Sequence, residues 1–116
     1  MAVPFQIDLA GKVAAVTGGG GVLCGCMAKA LAECGAKVAI LDLRKDAADK
    51  VAGEIKAAGF EATGFACSVL ERESLEAALV EIKAQYGPID ILINGAGGNH
   101  PLGTTSREYL LPEDLD

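Results

Sequence analysis

Four consecutive glycines, Gly18, Gly19, Gly20 and Gly21, stand between a short apolar run and a segment whose apolar residues recur at helical spacing. Glycines let the chain turn tightly and let its backbone approach a ligand, and the free N–H groups at the start of a helix attract an anion. The pattern predicts a loop that binds the pyrophosphate of a dinucleotide. The alternative is a flexible strand-to-helix turn with no ligand.

Asp42 follows the glycine loop by about 20 residues, at the expected carboxyl end of a second strand. A carboxylate at this place accepts hydrogen bonds from the two ribose hydroxyls and repels a 2′-phosphate, so the cofactor is predicted to be NAD rather than NADP. Two alternatives stay open. The first is that Asp42 only caps a turn at the end of the strand. The second is that Arg44 pairs with a 2′-phosphate, which would favour NADP, and not with Asp46.

A second run of small residues, Asn94-Gly95-Ala96-Gly97-Gly98, follows the fourth apolar run. Small residues allow the adenosine half of a cofactor to lie against the backbone, and an asparagine side chain can join neighbouring strands. With the glycine loop and Asp42, this run predicts one site at the carboxyl ends of a parallel sheet, where the strand order reverses.

The elements that position these residues alternate between strand and helix. Strands are predicted over 13–16, 37–41, 61–67 and 89–93, and helices over 22–34, from a cap at Asp46 to Gly59, and from a Ser68-x-x-Glu71 capping box to Gly87. The fold class is therefore α/β, a Rossmann-type parallel sheet of order 3-2-1-4 with flanking helices. Right-handed crossovers place the first two helices on one face and leave the third alone on the other. We expect exposed apolar sheet there, with self-association through it as one outcome.

Composition limits the function classes. The chain has 116 residues, 51% of them hydrophobic, and a net charge of −6, so one globular domain is predicted, with residues 103–116 as a frayed tail. The acidic balance argues against a nucleic-acid partner, and no apolar run has the length of a membrane span. Four cysteines without paired C-x₂-C spacing indicate free thiols and no metal site. We expect a cytoplasmic protein.

The sequence resembles the short-chain dehydrogenase/reductase family over about residues 9 to 100. The resemblance is carried by Asp42 and by the segments 11–18, 67–69 and 90–97. The resemblance implies a Rossmann fold and NAD(P)-dependent oxidation of alcohols or reduction of carbonyls. The glycine loop and residues 94–101 look like the sugar-acid branch, with D-mannonate oxidoreductase or fructuronate reductase activity. The cofactor-binding residues it implies are Gly18, Gly20, Gly21, Val22, Leu23, Asp42, Ser68, Val69, Asn94, Ala96 and Gly97.

This sequence departs from the family pattern in the glycine loop, T-G-x-x-x-G-x-G, where the second and third glycines fall on Val22 and Cys24. A side chain at Cys24 crowds the helix–strand contact or the pyrophosphate. The family usually has aspartate where Ser68 stands, so Ser68 either contacts the adenine or serves only as the helix cap. Gly95 replaces the second asparagine of N-N-A-G.

The catalytic Tyr-x-x-x-Lys pair of the family is not found in this sequence, because Tyr86 and Tyr109 are followed four residues later by Asp90 and Glu113. We therefore assign no catalytic residue. His100 either touches a substrate near the nicotinamide or is a loop histidine fixed by the following proline. Three hypotheses follow. The chain is the cofactor-binding part of an oxidoreductase whose small-molecule substrate needs a further part, a stand-alone dinucleotide-binding or sensing module, or an inactive remnant.

Overall fold

The computed structural model describes residues 7–97. They form, in chain order, β1 (Val13–Thr17), α1 (Val22–Glu33), β2 (Lys37–Asp42), α2 (Lys45–Ala57), β3 (Ala62–Ala66), α3 (Arg72–Tyr86) and β4 (Ile91–Asn94). All strand pairings are parallel, and the sheet order is β3-β2-β1-β4. The predicted fold class and strand order are confirmed. The expected tail, 103–116, and His100 lie outside the described residues.

The two faces of the sheet carry separate cores. On one face, Ala14, Val16, Val38 and Ile40 pack with α1 and α2, where many of the buried residues are alanines. On the other face, Val13, Ala15, Ala39 and Leu41 pack with Ala78 and Ile82 of α3. Strand residues therefore alternate between two covered faces, which explains why β1 is buried along its whole length. The predicted division of the helices between the faces is confirmed.

One helix is too little to cover the second face. Leu92 of β4 is 59% exposed, and Leu75 and Leu79 of α3 are each more than a third exposed. They border a groove of about 370 Å³ that reaches Thr17 and Asn94 at the carboxyl end of the sheet. The predicted exposed apolar surface is present at this groove.

Both predicted helix caps are wrong. The N-cap of α2 is Arg44, and Asp46 lies in the first turn instead. The N-cap of α3 is Glu71, with no side-chain cap, so Ser68 and Glu71 do not form a capping box. The backbone N–H of Ser68 donates instead to Ser74 Oγ at 2.9 Å, which means that a residue inside the helix holds the entering chain.

Strand ends also differ from the prediction by one or two residues. The fourth strand begins at Ile91. Asp90, just before it, is bonded to β1: the Asp90 N–H donates to the Val13 carbonyl at 2.8 Å, and the Asp90 carboxylate accepts the Val13 N–H at 3.0 Å. The third strand runs through Gly64 without interruption. A side chain at this position would fall within 3 Å of the α2 backbone at Ala48. This glycine therefore allows α2 to approach the strand.

Candidate functional site

The glycine loop is held by the strand beside it. The N–H of Gly19 donates to the Leu41 carbonyl at 3.1 Å, and that of Gly20 donates to Asp42 Oδ2 at 3.0 Å. A Cβ on Gly20 would fall 2.8 Å from Ala47 Cβ and 2.9 Å from the same carboxylate oxygen. A side chain at position 20 therefore has no space between Asp42 and α2. The loop packs closely against both and is not only a flexible turn.

Gly18 makes the first turn of the loop. Its φ is +66°, a left-handed conformation that favours glycine. A Cβ there would also lie 2.8 Å from the carbonyl oxygen of Gly95, in the segment after β4. The Gly18 conformation therefore brings the glycine loop into contact with the segment after β4, and the predicted proximity of these two segments is confirmed.

Asp42 lies at the end of β2, partly buried, beside the glycine loop. Its Oδ2 accepts the Gly20 N–H, and its Oδ1 accepts the Arg44 N–H at 3.0 Å. A carboxylate has about four lone-pair sites, so each oxygen keeps one after these bonds. Asp42 thus holds the turn, as its alternative interpretation proposed, and still has the acceptors that two hydroxyls require.

Arg44 has a partner of its own. Its Nη2 lies 3.2 Å from Asp46 Oδ2, and both side chains are about three-quarters exposed. The Arg44 guanidinium holds the pKa of the Asp46 carboxyl below its ordinary value by a hydrogen bond and by its charge. Arg44 thus forms the predicted pair with Asp46.

Helix α1 begins at the loop with an open end. Its N-cap, Gly21, offers no side-chain acceptor, and the first turn carries no acidic residue. The N–H groups of a first turn have no acceptor within the helix, and the helix dipole adds partial positive charge there. Val22 and Leu23 in this turn are 90% and 70% exposed. An anion placed here meets donors, and the first turn itself carries no carboxylate to repel it.

Thr17, the last residue of β1, joins this strand to the segment after β4. Its Oγ1 donates to the Ile93 carbonyl at 3.4 Å and accepts the N–H groups of Gly95 and Ala96 at 3.0 and 3.3 Å. The hydroxyl uses its donor and both lone pairs, and the residue is only 6% exposed. Asn94 was expected to join the strands, but the side chain that does so is that of Thr17. A threonine that ends an apolar strand was the only sequence signal for it.

The remaining predicted residues lie around the same edge of the sheet. Val69 and Asn94 line the groove together with Thr17, and Ala96 and Gly97 are exposed just beyond β4. Ser68 is partly buried beside Val69, and its role as a helix cap is excluded by the position of α3. The structure thus places Gly18, Gly20, Gly21 and Asp42 in one cluster, and Val69, Asn94 and Ala96 around Thr17.

The described residues include a tyrosine and four cysteines with reactive side chains. The Tyr86 hydroxyl lies 2.7 Å from Thr63 Oγ1. Burial raises the pKa of Tyr86 above its ordinary value. The four cysteines are free thiols. Within residues 7–97, no helix is long and apolar enough to cross a membrane.

Comparisons with known proteins agree with this arrangement. The family model for short chain dehydrogenases matches residues 12–110. An uncharacterised oxidoreductase of Bacillus subtilis is 51% identical over 106 residues, which are 91% of this chain and 38% of that protein. The crystal structure of a putative D-mannonate oxidoreductase of Haemophilus influenzae with bound NAD is 43% identical, with a TM-score of 0.83, over 94% of this chain and 42% of that one.

A third relative was solved with the other nicotinamide cofactor. It is a metagenomic short-chain oxidoreductase in complex with NADP, 33% identical, with a TM-score of 0.73, over 78% of this chain and 41% of that one. The chain therefore spans about two-fifths of the length of the relatives described here. Its fold, its glycine loop and the match over residues 12–110 show that this chain belongs to the short-chain dehydrogenase family.

Proposed function

We propose that this chain is the cofactor-binding part of an NAD-dependent short-chain oxidoreductase. The observation that carries the proposal is the contact between Gly20 and Asp42 at the open start of α1. It places backbone donors for a pyrophosphate next to carboxylate acceptors for a ribose. Relatives solved with NAD and with NADP support a dinucleotide ligand. The charge of Asp42 favours NAD, because it repels a 2′-phosphate.

The residues at the carboxyl edge of the sheet each have a role in this proposal. The first turn of α1, from Val22, holds the pyrophosphate, with Gly18, Gly20 and Gly21 allowing its close approach. The free lone pairs of Asp42 accept the ribose hydroxyls. Ser68, Val69, Asn94, Ala96 and Gly97 surround the adenosine half. Bound NAD supplies the hydride acceptor for the oxidation of an alcohol.

The substrate is proposed to be a small hydroxy compound, with a sugar acid such as D-mannonate as the first candidate. This assignment is supported by the name of the NAD-bound relative from Haemophilus influenzae. A tyrosine needs a nearby cation to lower its pKa for proton transfer, and this sequence has no Tyr-x-x-x-Lys pair. The 116-residue chain is therefore expected to bind the cofactor and not to turn over the substrate by itself.

Calorimetric titration of the purified chain with NADH and NADPH tests the proposal. We expect NADH to bind more tightly than NADPH, and Asp42→Asn to weaken NADH binding and reduce the difference. Glu81→Gln on the exposed side of α3 removes the same charge far from the loop, so it is the matched control. A well-folded chain that binds neither nucleotide would instead support the inactive remnant.

A stand-alone dinucleotide-binding module that pairs with a second copy is the other candidate. The exposed apolar groove beside Leu92 favours it, because apolar surface of this kind is usually covered. Sedimentation of the chain over a range of concentrations decides between them. A dimer that dissociates on Leu92→Lys supports the module, whereas a monomer at all concentrations contradicts it. Turnover of D-mannonate by the chain alone would contradict both the module and the proposed cofactor-binding part.

A further inference from the structure

Cys24 and Gly95 are in contact at the carboxyl edge of the sheet, where we propose that the cofactor binds. Cys24 lies in the first turn of α1, and Gly95 follows the last residue of β4. The Cys24 thiol lies 3.8 Å from the Gly95 carbonyl oxygen, within reach of a weak S–H···O bond. The two residues are 71 positions apart in the sequence, so only the fold brings them together.

The space that a side chain at position 95 would use is filled by the thiol. A Cβ built on Gly95 falls onto the Cys24 sulfur, well inside van der Waals contact, and also lies 3.4 Å from Cys24 Cβ. The φ of Gly95 is not positive, so its backbone conformation is open to other residues. This Cβ would also lie 2.8 Å from the Thr17 carbonyl oxygen, so position 95 is restricted by the Cys24 thiol and the Thr17 backbone together, and not by its own φ.

Gly95 has two further contacts. Its N–H donates to Thr17 Oγ1, and its carbonyl oxygen lies 2.8 Å from the place of a Cβ on Gly18. The thiol occupies the place where a Cβ at position 95 would stand, while the rest of Gly95 is exposed. The contact joins the segment after β4 to the first turn of α1 on the side of Cys24.

We propose that Cys24 is a positioning residue, matched in volume to Gly95, that sets the separation between the first turn of α1 and the segment after β4. In dinucleotide-binding folds, a glycine near the start of this helix allows close packing of helix against strand. Here a side chain stands at that place, and the absence of one at position 95 restores the space. The inference rests on the proposed function, because the separation matters to the cofactor that spans these two segments.

A double-mutant cycle of Cys24→Ala, Gly95→Ala and the double variant tests the pair. We expect Gly95→Ala to lower both the melting temperature and the NADH affinity, the affinity about tenfold, as for residues in direct contact. Cys24→Ala alone should have a smaller effect than Gly95→Ala, because it leaves a gap between the two segments and not a clash. The double variant should recover part of the loss and not all of it, since the Thr17 carbonyl oxygen remains 2.8 Å from the new Cβ. Additive effects of the two substitutions would overturn the proposal.

Gly53→Ala is the control for adding a methyl group, because a Cβ at Gly53 meets nothing within 4 Å and the residue lies in the exposed part of α2. A second series keeps Gly95 and changes only the volume at position 24. Cys24→Ser should keep the NADH affinity and Cys24→Leu should lose it, with both variants folded by circular dichroism. Equal affinities in this series would also overturn the proposal.

The cycle separates this inference from the proposed function. The melting temperatures report the fit between positions 24 and 95 without any cofactor. If the melting temperatures show coupling between positions 24 and 95 but the parent chain does not bind NADH, the matched volumes are supported. The proposed function is then overturned, and with it the role of the pair in cofactor binding. NADH binding with no coupling would overturn the pair alone.

Discussion

The carboxylate of Asp42 accepts the backbone N–H of Gly20 at 3.0 Å, so the acid predicted to bind a ribose also holds the glycine loop. This double role changes how its variants must be interpreted. Alanine removes the charge and the acceptor of the loop together. Asparagine removes the charge but keeps an oxygen for one N–H group.

For Asp42→Asn, we expect NADH binding to weaken by about tenfold, which corresponds to the loss of one charge-assisted interaction. NADPH binding should weaken less, because the repulsion of the 2′-phosphate is also removed. Asp42→Ala should in addition lower the free energy of unfolding by about 1 kcal/mol, because two backbone donors lose their acceptor. Calorimetry and urea unfolding of both variants give the two quantities. Equal nucleotide affinities in the parent chain and Asp42→Asn would contradict the ribose-binding role.

The hydroxyl of Thr17 is the polar group on which the segment after β4 depends. Thr17→Val keeps the shape and removes three hydrogen bonds, so we expect it to lower the free energy of unfolding by about 1–3 kcal/mol, the cost of leaving buried groups unsatisfied. Thr17→Ser is the matched control, since it keeps the hydroxyl and loses one methyl group. If urea unfolding shows Thr17→Val to be as stable as Thr17→Ser, the hydrogen bonds do not hold this segment.

The turn at Gly18 requires both its conformation and its lack of a side chain. Gly18→Ala forces a Cβ to within 3.0 Å of the segment after β4 at a φ of +66°, so we expect a loss of at least about 1 kcal/mol of stability. Thermal unfolding measures it. The same substitution at Gly53, inside α2 and in open space, should raise stability by up to about 1 kcal/mol. Similar effects at the two positions would contradict the close contact at Gly18.

Tyr86 gives the structure a dependence on alkaline pH. Burial raises its pKa above the ordinary value; the hydrogen bond with Thr63 opposes this shift and the charge of Glu61 adds to it. The folded state thus holds the phenol proton more tightly than the unfolded state does. Its contribution to stability is complete below the ordinary pKa of about 10 and is lost as the pH rises above it.

Tyr86→Phe has no phenol to titrate, so its melting temperature should fall less steeply than that of the parent chain above about pH 10. Because lysines titrate in the same range in both proteins, the comparison isolates Tyr86. If the melting temperatures of the two proteins fall equally with pH over this range, the raised pKa of Tyr86 is contradicted.

Local sequence patterns determined the α/β class and the strand order. Apolar runs of strand length alternate with helical spacing, and short connections leave only parallel pairing with right-handed crossovers, so the order β3-β2-β1-β4 followed from the chain. Glycines at 35, 59 and 87 end or follow the helices with positive φ for the same local reason. The position of Asp42 beside the glycine loop also followed, because the carboxyl ends of parallel strands share one edge.

The tertiary structure decided what depends on contacts between distant segments. Ser68 fits a capping-box pattern, yet α3 begins four residues later, where Ser74 Oγ receives the Ser68 N–H. The joining role of Thr17 and the match between Cys24 and Gly95 each involve residues more than 70 positions apart. Sequence spacing carries the period of a helix or strand, but the volume left between two packed segments exists only after they have come together.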